Sequence, residues 1–199
     1  MNQYNPNNDR RRSIRLRGYD YSKKGLYFVT ICLQNRQCLF GHIQNEKMIL
    51  NNPGRMVEKW YFELENKFPD IKCDTMVIMP NHFHCIIHNV GADLRVCPDY
   101  KKDYKKGQSQ KIASTLGEHS ILGEHVGSPL HRVIQWFKTM TTNEYIRGVK
   151  TLGWQPFDGK LWQRNYWEHI IRNDTSYLNI TEYIITNPKK WDADKLNPD

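Results

Sequence analysis

The alternation of apolar and polar residues predicts the elements of this chain one after another. From Tyr27 the run "YFVTICL" is rich in β-branched and aromatic residues and reads as a buried strand. "QNRQCLFGHI" then suggests a hairpin with Gly41 near its end. In "NNPGRMVEKWYFELENKF", polar and Pro-Gly starting signals precede apolar Met56, Val57, Trp60, Phe62 and Leu64, which predicts a helix over about 53–67. Next, "IKCDTMVIMP" is a second strand stopped by Pro80, and "HFHCIIHNV" a third that pairs with it across the short Pro-Asn connection. Helical spacing returns in "PLHRVIQWFKTMTTNEYIRG" through Val133, Trp136, Phe137, Met140 and Tyr145, ending at Gly148. "KLWQRNYWEHIIR" reads as a strand, and "NDTSYLNITEYIITNPKKW" as a helix opened by an Asn-Asp-Thr cap and closed at Asn187-Pro188.

This order predicts an α+β fold of the ferredoxin-like class, an antiparallel sheet with helices packed on one face. Residues 89–129 interrupt it, because Gly, Lys, Ser and Asp dominate there and "LGEH" occurs twice, at 116–119 and 122–125. A duplicated tetrapeptide is too short for a repeat array, so the stretch reads as a flexible insertion. The expected organisation is an N-terminal arm over 1–18, one domain over 19–192 carrying the insertion, and a tail over 193–199.

Charge changes the picture more than composition does. Hydrophobic content of 39% and charged content of 25% are ordinary for a folded protein, while a mean hydropathy of -0.75 implies much exposed polar chain. The 29 Lys and Arg against 21 Asp and Glu give a net charge of +8, which favours a polyanionic partner such as nucleic acid. Arg10, Arg11, Arg12, Arg15 and Arg17 crowd the first 18 residues. They suit a phosphate-binding arm and equally a solvated tail, and charge alone does not choose. No apolar run approaches the ~20 residues needed to cross a bilayer, and the start lacks the apolar stretch of a signal peptide. The expectation is a cytoplasmic protein without membrane partners. Five scattered cysteines with no Cys-x-x-Cys pair support neither a disulfide framework nor a zinc ribbon, so free thiols are expected.

Candidate chemistry concentrates in two stretches. In "MPNHFHCIIH", strand alternation puts His82 and His84 on one face and Phe83 on the other. Two imidazoles about 6 to 7 Å apart at their Cα atoms can converge on one ion, although the same spacing serves a satisfied polar pair. His88 shares that face but lies far along the strand. In the last helix Tyr183 and Asn187 lie four apart on one face, offering a phenol nucleophile and an amide oxygen that a hard cation accepts. Core packing beside Ile180 and Ile184 is the alternative role for Tyr183. Together these groups describe a metal that polarises a DNA phosphate while a tyrosine attacks it. In "YWEHIIRN", Glu168 and His169 alternate, so at most one faces the site. Arg164 and Arg172 are candidate phosphate contacts, and Trp162 and Trp167 are candidates for base stacking or for the core.

At "MPNHFHCIIH" together with "EYIITNP" the sequence resembles the single-tyrosine His-hydrophobic-His transposases. "LWQRNYWEHIIRND" followed by "EYIITNPKKW" looks more narrowly like the branch associated with repetitive extragenic palindromes (REPs). The resemblance covers about residues 13–88 and 129–192. It implies a ferredoxin-like catalytic domain acting on single-stranded or hairpin DNA, with His82 and His84 binding Mg²⁺ or Mn²⁺. Tyr183 would attack the scissile phosphate, leaving a 5′-phosphotyrosine link and a free 3′-OH. A later attack by a 3′-OH would rejoin strands without ATP. Insertion-sequence relatives commonly place Gln as third ligand where this chain has Asn187. The shorter side chain serves either as that ligand or as the residue closing the helix. A domesticated protein that binds hairpins without cutting them is the alternative. Homodimer and monomer, and site completion in trans or in cis, stay open.

Overall fold

The computed structural model describes residues 19–91 and 129–198 of the 199-residue chain. The arginines expected to form the N-terminal arm, Arg10, Arg11, Arg12, Arg15 and Arg17, and residues 92–128 of the expected insertion lie outside the described residues.

Four strands make the main sheet: β1 (Gly25–Cys32), β4 (Ile71–Ile78), β5 (His82–Asn89) and β6 (Trp167–Ile171), in the order β4-β5-β1-β6. Every neighbouring pair is antiparallel. Helix α1 (Asn52–Lys67) carries the chain from β1 to β4, and α2 (Leu130–Leu152) carries it from β5 to β6. This is the split βαβ arrangement of a ferredoxin-like α+β fold. A separate hairpin, β2 (Gly41–Gln44) with β3 (Lys47–Leu50), precedes α1, and α3 (Asp174–Thr186) follows β6.

Alternation along β1 and β5 sorts side chains onto two faces. Tyr27, Val29 and Ile31, with Phe83, Cys85 and Ile87, face α1 and α2 and form the larger core with Val57, Tyr61, Val133 and Phe137. Phe83 is central there, 5.4 Å from the Phe137 ring and 5.3 Å from that of Tyr61. On the other face Phe28, Ile86 and Ile171 pack against Ile184 of α3. Helices α1 and α2 thus share one face, as expected of the class, while α3 lies across the opposite one, the face that presents His82 and His84.

Several boundaries differ from the sequence reading. The hairpin sits later, at β2 and β3, turning through Asn45 and Glu46, both with positive φ as a two-residue hairpin turn demands. Asn-Glu lacks the glycine that usually marks such a turn. Helix α2 runs past Gly148 and stops at Gly153, whose φ of 69° is the left-handed conformation of a helix end. Gly148 is there for another reason: a Cβ would lie 2.3 Å from the Trp154 ring. The strand read from residue 160 begins only at Trp167; upstream, an isolated bridge joins Leu33 to Trp162. Trp162 is buried, with its indole donating to Thr141 at 2.9 Å, so its role is core packing.

Candidate active site

Two elements carry the site. Strand β5 begins at His82 because Pro80 and Asn81 turn the chain, with Met79 N–H donating to His82 O at 2.8 Å. Pairing with β1 sets His84 opposite Thr30 and His82 opposite Cys32. Helix α3 starts two residues after β6, its first turn capped by Asn173, which accepts from Ser176 N–H at 2.8 Å. This short connection lays α3 over the histidine face and brings Tyr183 to His84.

The geometry converges. The two imidazoles stand edge to face with centroids 4.6 Å apart, and the Tyr183 hydroxyl lies 3.4 Å from His84 Nε2. His84 Nδ1 bonds Thr30 Oγ1 at 2.7 Å, and His82 Nδ1 bonds Asn81 Oδ1 at 2.7 Å. An amide oxygen only accepts, so His82 carries its proton on Nδ1 and bares Nε2. Both rings are anchored through Nδ1 and aim Nε2 into the same space. Asn187, which ends α3 and opens a 3-10 turn over Asn187–Ala193, is 2% exposed and lies against both His82 and Tyr183.

Burial dominates the electrostatics. It pushes His82 down to about 4, against the opposing pull of the Asp194 carboxylate and Asn187. His84 is held well below the usual histidine range, by burial first and by His82 second. Both imidazoles are therefore neutral near pH 7, the state that ligates metals. The Tyr183 phenol is raised by burial and further by Asp194, with Asn187 opposing. Half-exposed at 39%, it remains reachable from solvent.

The residues fit a divalent ion. Among the described residues, His82 Nε2 and Asn187 Oδ1 are buried polar atoms with no hydrogen-bond partner. Orphaned lone pairs of this kind are costly unless a donor or cation meets them. Two imidazole nitrogens and an amide oxygen suit Mg²⁺ or Mn²⁺. Among the described residues no three His, Cys, Asp or Glu side chains form a ready-made metal site.

The remaining expectations divide. His169 and Trp167 share the histidine face, their rings parallel at 6.0 Å, with Trp167 49% exposed and 5.5 Å from Phe28. Phe28 in turn lies 6.0 Å from Tyr183. Glu168 alternates to the other face. Arg164 is exposed just before β6 at the histidine end of the sheet; Arg172 is exposed at the far end, after Ile171. His88, opposite Leu26, stands apart from the cluster. A cavity between α2 and residues 157–166 is lined by Arg164 but by none of His82, His84, Tyr183 and Asn187. Three residues near the histidines were missed by sequence reasoning: Thr30, Asn81 and Asp194, whose Oδ2 lies 3.9 Å from His82 Nε2. Asn81 was signalled only as a turn residue, and Asp194 carried no spacing signal at all.

No family model matches the chain. Relatives do. An uncharacterised protein of Haemophilus influenzae is 38% identical over 98% of both chains. A second Haemophilus influenzae protein, provisionally named a REP-associated tyrosine transposase, is 24% identical over 86% of this chain and 74% of its own. The Escherichia coli REP-associated tyrosine transposase is 21% identical over 85% of this chain and 70% of its own. A solved structure of such a transposase bound to a REP hairpin superposes with a TM-score of 0.49 at 20% identity, over 88% of this chain and 73% of that one. Over most of its length the chain is similar to the REP-associated tyrosine transposases.

Proposed function

We propose that this protein nicks and rejoins single-stranded or hairpin DNA through a covalent tyrosine intermediate. The observation that supports this most directly is the Tyr183 hydroxyl, 3.4 Å from His84 Nε2 within a single chain. His82, His84 and Asn187 would hold Mg²⁺ or Mn²⁺, which when bound polarises the scissile phosphate and favours the phenolate beside it. Tyr183 Oη attacks phosphorus and the bond to the 3′ oxygen breaks. The phenol gives up its proton, the departing oxygen gains one, and the 5′ side stays linked to the tyrosine. Attack by a 3′-OH on that link restores a phosphodiester and frees Tyr183, conserving the bond energy.

Substrate is held by charge and stacking. The net +8 supplies attraction for a polyanion. The exposed Trp167–His169 stack lies one ring away from Tyr183, through Phe28, where an unpaired base next to the scissile phosphate can lie flat. Arg164 stands at the same end for phosphate; Arg172, at the far end, is suited only to a more distant part of the strand.

Incubation with hairpin DNA and Mn²⁺, followed by denaturing gel electrophoresis, should show a covalent adduct. Tyr183→Phe should lose it while hairpin binding stays near wild type. An adduct that survives in that variant removes Tyr183 as the nucleophile. Tight binding with no adduct in the wild type points instead to a non-cleaving hairpin binder.

A further inference from the structure

The buried orphan atoms His82 Nε2 and Asn187 Oδ1 share their corner of the molecule with Asp194, at the end of the 3-10 turn that follows α3. One oxygen of its carboxylate is engaged: Oδ1 accepts from Leu196 N–H at 2.8 Å. The other, Oδ2, faces His82 Nε2 across 3.9 Å, too far for a hydrogen bond. With the His82 proton on Nδ1, committed to Asn81, neither facing atom has hydrogen to give. A nitrogen lone pair and a carboxylate oxygen are thus set against each other where His82 is fully buried and the Asp194 side chain only 11% exposed. Such an arrangement is repulsive unless a cation stands between them.

Its placement is built rather than incidental. Asn81 Nδ2 donates to Leu196 O at 2.7 Å and to Arg36 O at 3.2 Å, while Arg36 donates to Lys195 O at 2.9 Å. One amide side chain therefore orients the His82 ring with its oxygen and anchors the Asp194 segment with its nitrogen.

We propose that Asp194 is a ligand of the divalent ion, a carboxylate that joins His82, His84 and Asn187 and is delivered by the chain beyond α3. This rests on the reading that the two histidines bind that ion. It supplies the negative charge that the other donors lack, and a second hard oxygen beside the Asn187 amide, which favours Mg²⁺ or Mn²⁺ over softer metals.

Mn²⁺ binding to the full chain tests this without DNA or activity, by titration calorimetry and by the electron paramagnetic resonance of free Mn²⁺. Wild type should bind. Asp194→Asn should weaken binding about tenfold or more without lowering the melting temperature in EDTA, and Asp194→Glu should retain more affinity than Asp194→Asn. His84→Ala should lose binding. Equal affinity in wild type and Asp194→Asn, with loss in His84→Ala, overturns the role of Asp194 and leaves the histidine site standing. No binding by the wild type overturns both.

Discussion

Acid should weaken the metal-free protein through His82. In the folded chain burial holds this imidazole at about 4, whereas in the unfolded chain it returns to the ordinary 6.5. Between those values the unfolded chain takes up a proton that the folded chain refuses, so stability falls as pH falls. The contribution is intact above 6.5 and fully lost below about 4. At ~1.4 kcal/mol per unit, this interval sets a ceiling of roughly 3 kcal/mol. By pH 5 about 2 kcal/mol should be gone, a substantial share of the ~5–15 kcal/mol typical of a domain. His84, also depressed by burial, acts in the same direction. The assay is urea unfolding in EDTA at pH values from 7.5 to 5, for wild type and His82→Gln. The quantity read is the slope with pH, because the substitution also shifts the level. Wild type should lose about 2 kcal/mol more than the variant over that range. Parallel slopes would mean that folded His82 is protonated and paired with Asp194, and the burial argument would be wrong.

Asn81→Ala removes the acceptor that fixes the His82 tautomer and the donor that anchors Leu196; Mn²⁺ affinity should fall by about 10- to 100-fold in calorimetry. Phe83→Ala empties a position packed between Tyr61 and Phe137 and should cost ~3–5 kcal/mol in chemical denaturation. The two tryptophans should separate. Trp162→Ala should destabilise the fold, also by ~3–5 kcal/mol, whereas Trp167→Ala should leave the melting temperature nearly unchanged. Trp167→Ala should nevertheless weaken single-strand binding by about 1–3 kcal/mol, read by fluorescence anisotropy.

Where local pattern and tertiary packing agree, the sequence was enough. The alternation in "MPNHFHCIIH" correctly placed His82 and His84 on one face and Phe83 in the core, because strand geometry leaves no other arrangement. The four-residue spacing of Tyr183 and Asn187 likewise survived as one helix face. The side of the sheet on which α3 lies was not legible, since it depends on the connection after β6 and on Phe28, Ile86 and Ile171 offering Ile184 a second apolar surface. Gly148 looked like a helix end because a close approach and a cap call for the same residue type; only the Trp154 ring distinguishes them. Asp194 and Asn81 meet through a fold contact spanning more than a hundred residues, and no periodicity encodes that.

Helix α3 leaves β6 after two residues, so Tyr183 is tethered within reach of the histidines of its own chain. Dilution cannot take such a site apart. For the proposed cleavage, the adduct formed per molecule on saturating DNA should follow first-order kinetics with a rate constant independent of protein concentration. A nucleophile borrowed from a second copy would instead slow as the protein is thinned out.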